Sequence, residues 1–167
     1  MAKRIQSITT FTPTATADTT NLVDATYVSI VQGGSATQRV NIIEIYQGGQ
    51  AGASSPTFML LSRDTTVAVT VSQSTGGTDA PLDAATAALA APALVGSTAT
   101  TDPQRSATAH LLNLSFNAFG GIVRWVAAPG EEISIVGNTQ PLGEVSLSAF
   151  TGGTAGLMGA HIVYEPF

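Results

Sequence analysis

Leu112-Asn113-Leu114-Ser115-Phe116-Asn117 alternates apolar and polar side chains without a break. After Gly120-Gly121 the chain continues as Ile122-Val123-Arg124-Trp125-Val126. A period of two with β-branched and aromatic residues puts one set of side chains on each face of a strand. Pro129-Gly130 reads as a turn, and Glu132-Ile133-Ser134-Ile135-Val136 opens another strand. Beyond it, Val145, Leu147 and Ala149 alternate with Ser146 and Ser148, Gly152-Gly153 turns the chain, and His161-Ile162-Val163-Tyr164 closes it.

The N-terminal half has the same character. Tyr27-Val28-Ser29-Ile30-Val31-Gln32, the turn signal Gly33-Gly34-Ser35, and Arg39-Val40-Asn41-Ile42-Ile43-Glu44-Ile45-Tyr46 together read as a hairpin. Apolar parity changes between Ile42 and Ile43, so either both faces of that strand are covered or a bulge lies there. Phe58-Met59-Leu60-Leu61 is a short apolar strand, and Val67, Val69 and Val71 mark another. From Gln73 to Arg105 the β pattern lapses. There Asp79-Ala80-Pro81 is expected to open a short helix through Ala91, with Asp79 as N-cap and Pro92 ending it. So long a connection is uncommon inside a compact domain and reads as a contact surface.

These elements predict an all-β fold, a two-sheet jelly-roll-like sandwich of about eight strands. An immunoglobulin-like sandwich is the alternative. Residues 1–22, Thr-rich with Pro13, read as an N-terminal arm, and 23–167 as the β-sandwich domain.

Composition restricts function. Only 10% of the 167 residues are charged, against about a quarter in ordinary domains, while 44% are apolar and mean hydropathy is +0.26. A surface made of hydroxyls, amides and small residues is desolvated more cheaply than an ionic one. It suits wide contacts with neighbouring protein, and equally a secreted-type β domain. Net charge is −5 and the six basic residues form no stripe, which argues against nucleic acid. Met1-Ala2-Lys3-Arg4 is not followed by the apolar run of a signal peptide, and no apolar run is long enough to span a bilayer. No cysteine is present, so no disulfide or thiolate metal site is available.

Catalytic chemistry finds little material. His110 and His161 each sit beside an apolar strand and read as structural histidines. They are far apart in sequence, without the His-x-His of a cupin metal site. No Gly-x-Ser-x-Gly elbow is present, and the only lysine, Lys3, follows no glycine run. Glu131-Glu132 is the only adjacent acidic pair. On a strand its carboxyls would diverge, so a solvated turn is the reading. Asp79 and Asp83 read as cap and surface, and Asn113-Leu114-Ser115 as a sequon inside a strand. Trp125, Tyr27, Tyr46 and Tyr164 read as core aromatics. The sequence therefore nominates no catalytic, cofactor-binding or metal-ligating residue and no cofactor.

Two segments carry a resemblance. One is Arg39-Val40-Asn41-Ile42-Ile43-Glu44-Ile45-Tyr46-Gln47-Gly48-Gly49 followed by Ser55-Pro56-Thr57-Phe58-Met59-Leu60-Leu61-Ser62-Arg63. The other is Gly121-Ile122-Val123-Arg124-Trp125-Val126-Ala127-Ala128-Pro129-Gly130-Glu131-Glu132-Ile133. Both are similar to small β-sandwich proteins of tailed-phage virions, in particular capsid decoration (cement) proteins. The resemblance implies a jelly-roll subunit, homotrimeric, bound to the major capsid protein on the outer capsid surface and stabilising the shell. It offers no catalytic residue to carry over, and composition adds the expectation of no nucleic-acid partner and no membrane. The other function classes are a tail or fibre recognition module for a host-surface glycan or protein, and an enzyme in which His110 and His161 converge with carboxylates. On the cement reading, removing residues 1–20 is expected to weaken capsid attachment more than folding.

Overall fold

The computed structural model describes residues 6–12, 27–66, 69–72, 80–85, 94–96, 98–101, 103–138, 143–151 and 157–166. Among them the strands run in chain order β1 (Gln6–Thr12), β2 (Tyr27–Gln32), β3 (Arg39–Gln50), β4 (Pro56–Thr66), β5 (Val69–Ser72), β6 (Ala80–Pro81) and β7 (Leu94–Gly96). Then come β8 (Thr98–Thr101), β9 (Gln104–Asn117), β10 (Phe119–Val126), β11 (Ile133–Val136), β12 (Glu144–Thr151) and β13 (Leu157–Pro166). No described residue is helical.

The strands form two antiparallel sheets. Sheet A has the order β10-β3-β13-β1-β6, with β11 also on β3, and sheet B has the order β7-β2-β12-β4-β9. β5 and β8 pair with each other outside both. Pairing of the long strands is nested: β1 with β13, β2 with β12, β3 with β10 and β11, β4 with β9. That nesting, first strand with last and inward from both ends, is a jelly roll and not an immunoglobulin-like sandwich.

The alternating apolar residues meet between the sheets. Ile42, Ile45, Ile135, Ile162 and Tyr164 of sheet A face Val31, Met59, Leu61, Val145 and Leu147 of sheet B. Leu112, Leu114 and Phe116 of β9 and Val123, Trp125 and Ile133 of β10 and β11 close the core on one side, where they are only partly buried. Both sheets end on that side, with β9 and β10 as their edge strands.

The parity change at Ile42-Ile43 is a bulge. Opposite β13, Val163 pairs with Glu44 and Tyr164 with Ile42, so Ile43 is the extra residue. Ile43 is also where one neighbour of β3 gives way to the next. β10 pairs with residues 44–50 and β11 with 39–42, and the Ala127 amide donates to the Ile43 carbonyl at 2.8 Å. The bulge keeps Ile42 and Ile45 on the same, inner face.

Several local expectations are corrected. β2 and β3 are not a hairpin, because β2 lies in sheet B and β3 in sheet A. The Gly33-Gly34-Ser35 turn is a corner between sheets. The Gly33 amide donates to the Gly137 carbonyl at 3.0 Å, and the Gly137 amide to the Gln38 carbonyl at 2.8 Å. Gly137 has φ +73°, and a Cβ there would lie 2.5 Å from the Ala36 carbonyl oxygen. Both features exclude a side chain, and the obstacle is backbone. Gly137→Ala is therefore expected to cost at least about 1–3 kcal/mol, measurable as a lower urea midpoint with unchanged slope. An unchanged midpoint would mean that the corner is not rigid.

Within the expected 1–22 arm, Gln6–Thr12 is β1, hydrogen-bonded in register to β13 on one side and β6 on the other. Threonine is β-branched, so a Thr-rich composition serves a strand as well as a frayed tail. Residues 13–22 lie outside the described residues. In the expected helix, Ala80–Pro81 is instead strand β6, and 82–85 are bend and turn. Asp79 and 86–91 lie outside the described residues. Nor is the expected connection from Gln73 to Arg105 without strands among its described residues. β6 extends sheet A beside β1, β7 extends sheet B beside β2, and β8 returns alongside β5. Strands of two to four residues are too short to show a period.

Candidate functional site

The outer face of sheet A carries a row of side chains set by register. Arg124 of β10 pairs with Tyr46 of β3, and Tyr46 pairs with His161 of β13. Ile45 faces the core, so its neighbours Glu44 and Tyr46 face outward. Arg124 Nε donates to Glu44 Oε1 in an ion pair, and the guanidinium carbon lies 5.1 Å from the Tyr46 ring centroid. The rings of Tyr46 and His161 meet edge to face, with centroids 5.7 Å apart and an interplanar angle of 62°.

Electrostatics within the row are local. The Arg124 hydrogen bond holds the Glu44 carboxyl below its usual range, and the hydrogen bond with Glu44 raises the Tyr46 hydroxyl. Glu44 also raises the Arg124 guanidinium. A depressed acid stabilises the fold above its unfolded pKa, and that contribution is lost as pH falls through the folded value. Arg124 is exposed and only Glu44 is half-buried, so solvent screens the pair, and Arg124→Ala is expected to leave the melting temperature nearly unchanged. A drop of many degrees would show that the row is structural.

Along the same edge lie exposed apolar side chains. Ile122 is 69% exposed, Phe119 59%, Val126 49% and, on β11, Val136 45%. By register they follow one another along the β10–β11 side of β3, where no further strand pairs among the described residues, interrupted by a cation that Glu44 neutralises. Such a strip is costly to leave in water.

A second polar cluster is buried on sheet B. Val145 and Leu147 belong to the core, so Glu144, Ser146 and Ser148 face the opposite side, yet all three are buried. Gln32 Nε2 donates to Glu144 Oε2, and Ser146 Oγ donates to Asp64 Oδ1 at 2.7 Å. Asp64 is register partner of Arg105, which is 2% exposed. Burial pushes the Asp64 carboxyl up, against the hydrogen bonds of Ser146 and Glu144 and the charge of Arg105. In the core itself, Gln47 is fully buried and neither of its amide atoms has a partner among the described residues. Gln47→Leu is expected to raise stability by about 1–3 kcal/mol, the desolvation penalty of unpaired polar atoms. A loss of stability in urea unfolding would point instead to an internal water on that amide.

Of the described residues singled out in the sequence, His161 meets Tyr46, and the two histidines lie on different sheets. His110 is exposed on β9 in sheet B, and His161 lies on β13 in sheet A. Glu131 is an exposed turn residue, its amide donating to Ala128, while Glu132 Oε1 accepts from the Gly130 amide at 3.2 Å. Asp83 Oδ1 accepts from the Ala85 amide at 3.0 Å. Asn113 is exposed within β9. Trp125 packs against the core and Tyr164 is fully buried in it, but Tyr46 stands on the outer face, which corrects its assignment as a core aromatic. The Tyr27 side chain lies outside what is described. No group of three or more His, Asp or Glu side chains able to hold a metal occurs among the described residues. Glu44, Arg124, Asp64, Arg105 and Glu144 were not singled out from the sequence. Their one signal was a charge inside or bordering a strand in a chain with few charges.

No family model matches the chain, and no curated protein matches it. Among solved structures, one similar chain comes from the structure of infectious bursal disease virus Gt strain. It has 13% identity and a TM-score of 0.14, over 98% of this chain and 41% of that chain. At that score the likeness carries no argument about fold or function.

Proposed function

We propose that the protein is a structural virion protein that binds the outside of a phage capsid through the major capsid protein, as a homotrimer, and cements the shell. The observation that carries this reading is the exposed apolar strip Phe119, Ile122, Val126 and Val136 on an open sheet edge, in a chain with few charges. Protein–protein contacts are built on such patches, and repetition over a shell turns shallow contacts into firm attachment. The two-segment resemblance to capsid decoration proteins supplies the partner. On this reading the protein performs no catalysis and needs no cofactor.

The test is sedimentation of the purified protein with shells of its cognate virus, alongside Ile122→Asp. Ile122 is 69% exposed, so the substitution leaves folding intact. Co-sedimentation of the wild type and loss of attachment by the folded variant are expected. A wild type that stays in the supernatant would sink the proposal. Light scattering on a sizing column tests the trimer, and a monomeric mass would remove that part of it.

A further inference from the structure

Asp64 and Arg105 sit where the long excursion between β4 and β9 leaves and rejoins the sandwich. Thr66 pairs with Gln104 and Asp64 with Arg105, and Thr65 Oγ1 donates to the Gln104 carbonyl at 3.0 Å. The neck of the excursion is thus a short ladder between the end of β4 and the start of β9. Beside it, the β12 register brings Glu144 next to Asp64: Val145 pairs with Arg63, and Ser146 Oγ reaches Asp64 Oδ1.

The donors around this pair are unevenly shared. Ser146 serves Asp64 Oδ1, and Gln32 serves Glu144 Oε2. Asp64 Oδ2 is buried and has no donor among the described residues. Two ionised carboxylates side by side on neighbouring strands offer each other only repulsion. A proton on one of them becomes the missing donor.

We propose that Asp64 and Glu144 hold one proton between them and, with Arg105, form a proton-dependent clasp on the neck between β4 and β9. With one proton the cluster is neutral: one carboxylate, one carboxylic acid and one guanidinium. Without it a net negative charge stays buried, and the ladder from Asp64 to Gln104 loosens. Among the described residues, the groups on the face of the pair are Arg105 from β9, Gln32 from β2, Ser146 from β12 and Ser62 from β4, with His110 of β9 the exposed register partner of Ser62. Arg63 lies on the alternate side of β4, opposite Val145. Burial acts in the same direction, raising Asp64. The folded state then keeps a proton that the unfolded chain has lost, so stability falls as pH rises through the pair's upper titration step.

Carbon-detected NMR of the ¹³C-labelled full chain tests this by following Asp64 Cγ and Glu144 Cδ from about pH 4 to about pH 9. Both carbons are expected to respond in both steps, with the last proton leaving above the ordinary carboxylate range. The melting temperature should fall through that step in the wild type and not in Asp64→Asn, where Glu144 titrates alone. Glu144→Gln is the mirror variant should Asp64→Asn not fold, and the wild-type titration stands without either. Independent titration of both carbons in the ordinary range would overturn the proposal. So would the same pH dependence of melting in the wild type and the variants.

Discussion

Arg105→Leu is expected to destabilise the protein by about 3–5 kcal/mol, a large part of the total stability of a domain. Arg105 is 2% exposed and is the cation acting on Asp64. Leucine restores much of the volume but none of the charge. Two buried carboxyls would then face each other without the charge of Arg105, and removing one partner of a buried ionic cluster costs far more than the intact cluster contributes. The loss has a direction in pH. Without the guanidinium the carboxyl pair holds its protons to higher pH. The variant keeps most of its stability below the usual carboxylate range and loses it as pH rises. Urea unfolding at several pH values checks both the size and the sign. A loss below about 1 kcal/mol at neutral pH would mean that water reaches the cluster.

Deleting residues 1–12 is expected to abolish cooperative unfolding altogether. The deletion removes all of β1, which lies between β13 and β6 in sheet A. Seven residue pairs of the β1–β13 ladder disappear, from Gln6↔Tyr164 to Thr12↔Met158. β13, a strand whose inner face carries Met158, Ala160 and Ile162, then becomes an edge. A domain that is stable by about 5–15 kcal/mol does not survive loss of a strand paired on both sides. This reverses the expectation that the N-terminal segment serves attachment more than folding. Circular dichroism melting of the truncated chain is the measurement. A sharp transition at the wild-type temperature would restore the arm reading.

Much of the fold is legible in local pattern. The alternation through Leu112, Leu114 and Phe116, and again through Val145 and Leu147, marks strands and names their inner faces. The parity break at Ile42-Ile43 offers a bulge as one of two readings, and the structure selects the bulge. Pairing is not legible. Nothing in Gly33-Gly34-Ser35 distinguishes a hairpin turn from a corner between sheets, because the difference lies in contacts with Gly137, about a hundred residues away in the chain. The same limit hid the candidate surfaces. Glu44 and Arg124 are eighty positions apart, and only the β3–β10 register makes them an ion pair. Asp64, Arg105 and Glu144 are single charges on three strands, whose meeting depends on β4 lying between β9 and β12.

By itself, then, the sequence determined an all-β chain of short, punctuated strands, its main core residues, and a surface with few charges. Alternation and composition are properties of neighbours along the chain, and the hydrophobic effect acts on them whatever the topology. The tertiary structure alone decided that β1 is part of the roll and that the long excursion extends both sheets. It also decided that two carboxyls and a guanidinium are buried together at the excursion's neck. Each of these depends on hydrogen-bond partners distant in sequence, and the closure of those long loops is settled only by the summed packing of the whole domain.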